Sequence, residues 1–354
     1  MKKIIKIALV GLLMSAVLVG CQSKPVDSGK DAITIGLVTD LGGIDDKSFN
    51  QGTWEGVKKF AAEAKLPEKN IGFLQSAQEK DYIPNLSQFA DQAKTLIVAP
   101  GFLFEKAMTE VATNYPEQKF LLIDSIIDLP NVSSAIFAEH EGSFLTGVAA
   151  GLKAKAAGQK KLGFIGGMDF GLIQRFEAGF EQGVKAVLPE AEVVVEYAGD
   201  FGKPEVGQTL AKKLFDAGAY IVFHAAGNTG NGLISEAKAR QEAGKEVWAI
   251  GVDIDQYEAG KMENGKSAVL TSMLKKVDVA SYEVCKKVAA GEFKGGKDSA
   301  LVFNIANNGV GCELTKGRNL SDDIIAEVEK YSADFKAGKF TISEIPTRIA
   351  NAKN

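Results

Sequence analysis

Apolar and polar positions follow two periods along this chain. Short, apolar-rich runs at Ile33 to Val38, Asn70 to Leu74, Thr95 to Ala99, Phe120 to Ile123, Leu162 to Ile165, Glu192 to Tyr197, Tyr220 to His224 and Val247 to Val252 read as strands. Stretches of helical spacing lie between them; in Trp54 to Ala61 the charges fall on the outer face. Near-continuous apolar strands separated by amphipathic helices predict parallel sheets covered on both faces, and the fold class is α/β. A weak internal repeat suggests how the sheets are grouped. Ile35-Gly36-Leu37-Val38 leading to Glu55-Gly56-Val57-Lys58 is echoed by Leu162-Gly163-Phe164-Ile165 leading to Gln182-Gly183-Val184-Lys185. Each half opens with the same strand, polar loop and helix, which predicts two similar lobes with a cleft between them. We expect 32–137 and 254–300 in the first lobe, and 138–253 and 301–354 in the second, with the helix-like Ser321 to Phe335 in the latter.

The first residues carry a different pattern. Lys2, Lys3 and Lys6 precede an apolar run from Ile7 to Val19, too short to span a bilayer as a mature helix. A basic start and a short apolar core are those of a secretory signal over 1–20. Its ending, Leu18-Val19-Gly20-Cys21, resembles a bacterial lipobox. That resemblance implies that Cys21 becomes the first mature residue and carries diacylglycerol, whose two acyl chains, palmitate among them, make the anchor stable. The alternative is an ordinary cleaved signal with an incidental cysteine. Residues 21–31 are polar and rich in turn formers, which suits a tether. The expected location is the cell membrane, lipid-anchored on its extracytoplasmic face.

Charge and composition remove several classes of function. The chain has 354 residues, with 41 Lys and Arg against 45 Asp and Glu, and a formal charge of −4. Three of the lysines lie in the signal, so the body is more acidic still, and nucleic acid is not an expected partner. With 2 His and 3 Cys, no cluster suggests zinc, and no metal or cofactor is expected. Cys285 and Cys312 read as buried thiols, with a disulfide between them as the alternative in an oxidising compartment.

Ligands of open α/β sheets bind at the carboxyl ends of the strands. Three predicted strands end in aspartate there: Asp40, Asp124 and Asp253. A carboxylate at the end of a buried strand is costly unless something donates to it, either a ligand or the N–H groups of a following helix. The richest loop runs from Asp40 to Asn50. Gly42 and Gly43 permit tight turns, and Phe49 stands at the predicted start of a helix, placed either to stack on a flat ligand or to fill the core. A partner ring would come from a glycine-flanked loop of the second half. Phe201 is the first choice and Phe170 the second.

These features converge on a family. The lipobox, Asp-Asp-Lys-Ser-Phe-Asn-Gln at 45–51, Phe-His-Ala-Ala-Gly at 223–227, Ile-Gly-Val-Asp at 250–253 and Thr-Ser-Met-Leu-Lys-Lys at 271–276 resemble, in order, the basic-membrane-protein family of purine-nucleoside-receptor lipoproteins. The resemblance covers essentially the whole mature chain. It implies a two-lobed type I periplasmic-binding-protein fold that serves as the substrate-binding component of an ABC importer. The expected partners are a purine nucleoside of the guanosine, adenosine or inosine class and the ABC permease and ATPase subunits. The protein would act as a monomer and not as an enzyme.

The resemblance also implies roles. Phe49 would stack on the base, and Asp40, Asn50 and Asp124 would meet its polar edge. Asp253 would accept from the ribose 2′- and 3′-hydroxyls, while Gly227 and Lys275 hold the sugar. The chemistry agrees, because one carboxylate accepts two donors and suits a vicinal diol or a purine edge. Gly227 permits close backbone approach, and the glycine-rich run around it, 225–232, lacks the ending of a phosphate-binding loop. Three carboxylates would repel phosphate, favouring a nucleoside over a nucleotide. Three other readings compete. Thr39 to Asp46 is similar to the calcium loop of nucleoside hydrolases, but Val38 replaces its leading aspartate and an extra residue breaks the spacing. The same fold binds sugars and other small polar ligands. A surface role in host binding has no mark in this sequence.

Overall fold

Three of the apolar runs in the first half, Ile35–Val38, Leu96–Pro100 and Phe120–Ile123, are strands buried along their whole length in the computed structural model, which describes residues 33–352. A fourth, Ile71–Leu74, lies at a sheet edge and is partly exposed. The signal, Cys21 and the tether up to 31 lie outside the described residues. In chain order the elements are β1 (Ile35–Val38), α1 (Phe49–Glu63), β2 (Ile71–Leu74), α2 (Tyr82–Asp91), β3 (Leu96–Pro100), α3 (Glu105–Asn114), β4 (Phe120–Ile123), β5 (Val132–Phe137), α4 (Glu139–Ala156), β6 (Lys161–Gly166) and α5 (Gly171–Val187). They continue with β7 (Glu192–Tyr197), α6 (Pro204–Asp216), β8 (Ile221–Ala225), α7 (Asn231–Glu242), β9 (Trp248–Asp253), β10 (Val269–Lys275), α8 (Val277–Ala289), β11 (Leu301–Phe303), β12 (Val310–Cys312), α9 (Asp322–Lys336) and α10 (Thr347–Ala352).

The strands form two sheets of six, ordered β11-β5-β4-β3-β1-β2 and β12-β10-β9-β8-β6-β7. Position by position the orders match, so β1 corresponds to β6, β4 to β9 and β5 to β10. The internal repeat seen in the sequence is this duplication, entered at its first strand and helix. All pairings are parallel except that of β10 with β12. The parallel strands direct their carboxyl ends, and therefore Asp40, Asp124 and Asp253, toward the cleft.

The chain crosses between sheets at different places from those expected. Segment 254–300 is expected in the first lobe, but β10 within it belongs to the second sheet, parallel to β9; segment 301–354 is expected in the second, but β11 pairs with β5 in the first. The return to the first lobe comes after Lys275, where α8 packs on α1 through Ser281, whose hydroxyl donates to the Thr53 carbonyl at 2.8 Å. The final crossing comes after Phe303. β10 stays with β9 because its Val269, Leu270 and Met273 are buried in the second lobe, and a strand that ends in lysine carries no outward sign of that.

Two helices fix one wall of the cleft. A Cβ on Gly179 or Gly183 of α5 would collide with the carbonyl oxygens of His140 and Phe144 on α4. The helices are therefore in backbone contact, and α5 presents Leu172, Ile173 and Phe176 from a rigid seat. Cys285 and Cys312 are free thiols; the Cys312 sulfur lies 3.3 Å from the Thr271 hydroxyl. Among the described residues no helix is long and apolar enough to cross a membrane.

Candidate ligand-binding site

A cavity between the lobes is lined by all eight residues singled out in the sequence: Asp40, Phe49, Asn50, Asp124, Phe201, Gly227, Asp253 and Lys275. Gly101, Phe102, Leu172, Ile173 and Phe176 also line it. The lobes are closed on each other around it. The Asn231 amide donates to the Asp46 carbonyl at 2.8 Å, the Gln256 amide donates to the Lys47 carbonyl at 2.9 Å, and the Ser48 hydroxyl donates to the Asp253 carboxylate.

The loop after β1 organises the first lobe's share. Asp46 accepts from the backbone N–H groups of Ser48, Asn50 and Gln51 at 2.8–3.0 Å, which satisfies the exposed donors at the start of α1. Helix capping, the alternative role for the strand-end aspartates, thus falls to Asp46. Asn50 is the next link. Its amide donates to Asp40 at 2.6 Å and to Asp46 at 2.9 Å, while its oxygen accepts from the Asp40 N–H at 3.1 Å. Both amide protons are committed, so Asn50 orients Asp40 and keeps spare acceptor capacity only at its oxygen. Asp45 is exposed while Asp46 is consumed by backbone donors, so these carboxylates do not converge on one point. Among the described residues no group of three or more His, Cys, Asp or Glu is arranged to hold a metal.

Asp124 and Asp253 occupy equivalent positions at the ends of β4 and β9, and both have positive φ, +74° and +66°. A non-glycine residue there is uncommon, though aspartate tolerates it better than most, and such strain gathers at functional sites. Lys275 ends β10 and is 1 % exposed. Its ammonium lies 2.6 Å from Asp124 and 3.2 Å from Glu139, and about it stand the rings of Phe49 and Phe137, both centred at 5.0 Å, and Phe176 at 5.5 Å. It is therefore a buried partner of carboxylates rather than a solvated helix-end charge. Glu139, at the start of α4, is fully buried, and its other oxygen faces Arg175 at 3.2 Å. No local pattern marks Glu139, because its importance comes from a neighbour on a strand far along the chain.

Electrostatics leave this pocket short of donors. Burial drives Asp40 up to about 7 despite the bonds from Asn50 and Gly42, and drives Asp253 up to about 7 despite Lys275 and Ser48. Asp124 is raised by burial to about 6, with Lys275 pulling the other way. Burial depresses the Lys275 ammonium, but Asp124, Glu139 and Asp253 outweigh it, and the net shift is upward. Asp124 Oδ1 is buried with no hydrogen-bond partner among the described residues. Such an arrangement accepts N–H and O–H groups and repels anions.

The aromatic residues divide between the lobes. Phe49 belongs to the first and Phe201 to the second, where it packs beside Gly227, whose φ is +53°. Phe170 does not line the cavity. It stacks instead on Phe102, which does. Phe102 follows Gly101, at φ +123°, and it is an aromatic that sequence reasoning missed because nothing local separates it from its neighbours Leu103 and Phe104.

A closed, acceptor-rich cavity between two α/β lobes is the architecture of a solute-binding protein, and the relatives of this chain agree. Residues 33–345 match the family model described as ABC transporter substrate-binding protein PnrA-like, Bmp, and the chain belongs to that family. It is 39 % identical to a Listeria innocua protein named CD4+ T-cell-stimulating antigen, over 98 % of this chain and 99 % of the relative. It is 37 % identical to the Lactococcus lactis ABC transporter nucleoside-binding protein BmpA, over 96 % of this chain and 99 % of the relative. Among solved structures, an ABC transporter solute-binding protein from Aeropyrum pernix K1 superposes with a TM-score of 0.77 at 26 % identity, covering 88 % of this chain and 93 % of that one. The names of the Lactococcus and Aeropyrum proteins are those of binding proteins rather than enzymes.

The raised carboxylates make a prediction about stability. Asp253 titrates near 7 when folded and near its ordinary 3.8 when unfolded, so between those values the native state holds the extra proton. Its contribution therefore worsens as pH rises from about 4 to about 7. Asp253→Asn, which keeps the positive φ acceptable, should stabilise the ligand-free protein by on the order of 1–2 kcal/mol at about pH 8 and by less at about pH 5. Thermal unfolding at both pH values checks this, and an equal change at both would contradict it.

Proposed function

We propose that this protein captures a purine nucleoside of the guanosine, adenosine or inosine class and delivers it to a membrane permease driven by ATPase subunits. The observation that carries this reading is the lining of the cavity. Two phenylalanines from each lobe, Phe49 and Phe102 from the first and Phe176 and Phe201 from the second, share it with carboxylates that retain free acceptor capacity. Aromatic faces take a flat base, and acceptors without donors require a ligand that brings its own N–H and O–H groups. In this reading Asp40 and Asp124 meet the base edge, with Asn50 holding Asp40 in place. Asp253 and Lys275 grip the ribose, and Gly227 lets the backbone come close. A phosphate would add negative charge beside Asp40, Asp124 and Asp253 and is disfavoured. The name of the Lactococcus lactis relative supports a nucleoside over a sugar.

We also infer that the protein works as a monomer, anchored through lipid on Cys21 at the extracytoplasmic face of the membrane. Cys21→Ala is expected to release it from the membrane fraction with ligand affinity unchanged; retention after fractionation would contradict lipidation.

Binding is tested by calorimetric titration with guanosine, adenosine and inosine. Phe49→Ala is expected to weaken all three by roughly 1–3 kcal/mol, as the loss of a stacking face would. Asp253→Ala should cost ribonucleosides about 1.5–3 kcal/mol and 2′-deoxynucleosides less. Equal losses for both sugars would remove Asp253 from the ribose, and a wild type that binds no nucleoside would overturn the assignment.

A further inference from the structure

Phe170 is 56 % exposed, yet its ring is packed against another. It lies parallel to Phe102, with centroids 4.8 Å apart and planes 2° from coincidence. Phe102 in turn meets Phe201 edge-on at 6.1 Å and 78°. Three rings therefore run from inside the cavity to the surface, with Phe102 on the first lobe and Phe201 and Phe170 on the second.

We propose that Phe102 and Phe170 form a latch across the mouth of the cavity, which resists opening of the lobes and sets how slowly a captured ligand leaves. Parting the lobes separates Phe102 from both rings of the second lobe and returns their faces to water. The stack thus stabilises the closed state selectively, and it does so without touching the residues assigned to the ligand's polar groups.

The second-lobe half of the latch has a firm base. Phe170 directly precedes α5, which is seated on α4, and its carbonyl accepts from the Gln174 N–H at 2.9 Å. Its neighbour Asp169 is held by Arg348 of α10 through two contacts, at 2.6 Å and 3.1 Å, and by the Gln174 amide at 2.8 Å. Arg348 also pairs with Glu177 at 2.8 Å and 3.0 Å, and the Tyr197 hydroxyl donates to the same fully buried carboxylate at 2.5 Å. An exposed phenylalanine is thereby kept in register with a ring of the opposite lobe. The first-lobe half is held by Gly101, whose φ of +123° turns the chain from β3 into Phe102.

The latch rests on the nucleoside reading only for the choice of probe. Release of radiolabelled guanosine from the full-length protein is expected to be about three- to tenfold faster in Phe102→Ala and in Phe170→Ala, the range that an aromatic pair supports. Association should not slow, since the latch forms only once the lobes have closed. Because the two rings act on each other, the double variant should release no faster than the faster single variant. Unchanged release in the single variants, or effects that multiply in the double variant, would overturn the latch. If the wild type takes up none of guanosine, adenosine and inosine, the nucleoside reading has failed and small-angle scattering of the ligand-free protein decides the latch. The double variant should then show a larger radius of gyration than the wild type, and equal radii would overturn it.

Discussion

One buried ammonium governs this site. Lys275 stands among Asp124, Glu139 and Asp253, at the end of β10 beside the cavity between the lobes, and Asp124 reaches it from the opposite lobe. A lone cation in so buried a place is held by its carboxylates, and removing Lys275 would strand the charges of Asp124 and Glu139. The carboxylates outnumber it, however. Asp40 and Asp253 are left with pKa values near 7 and Asp124 with an oxygen that none of the described residues satisfies. That imbalance is what, in the proposed function, suits the cavity to neutral molecules rich in N–H and O–H groups.

Duplication of the fold explains how the charges come together. The two sheets have the same strand order, so β4 and β9 end at corresponding points facing one cleft. Each leads into an aspartate with positive φ, and the two lobes contribute the same kind of group to opposite sides of the cavity. The copies diverge at the next strand. β5 ends in Phe137 while β10 ends in Lys275, so the second lobe supplies the cation and the first an aromatic wall beside it.

Much of this is legible in the sequence because the relevant signals are local. Apolar runs mark most strands of both sheets, and the strand-end aspartates stand out by breaking those runs. The strands that escape notice are the ones whose pattern is diluted: β5 contains Ser133 and Ser134, β10 contains Thr271 and Ser272, and β11 and β12 have three residues each. Missing β10 and β11 as sheet members is also what displaces the lobe boundaries. Residues whose role depends on distant partners leave no local trace. Glu139 matters through Lys275, Ser48 through Asp253, and Phe102 through Phe170 and Phe201. Asp46 is visible as one charge among several, but only its bonds to the first turn of α1 separate it from Asp40.

If the ligand supplies the donors this pocket lacks, its binding changes the number of protons the site holds. In the empty site Asp40 and Asp253 are partly protonated near neutral pH, because burial outweighs the groups that donate to them. On the proposed nucleoside reading, donors from the ligand favour the charged forms, so binding should expel protons. Guanosine titrations at about pH 6.5 in buffers of different ionisation enthalpy measure that exchange through the buffer dependence of the observed heat. Net proton release, reduced in Asp253→Asn, is expected; net uptake, or binding with no proton exchange at all, would show that the ligand does not bring those donors.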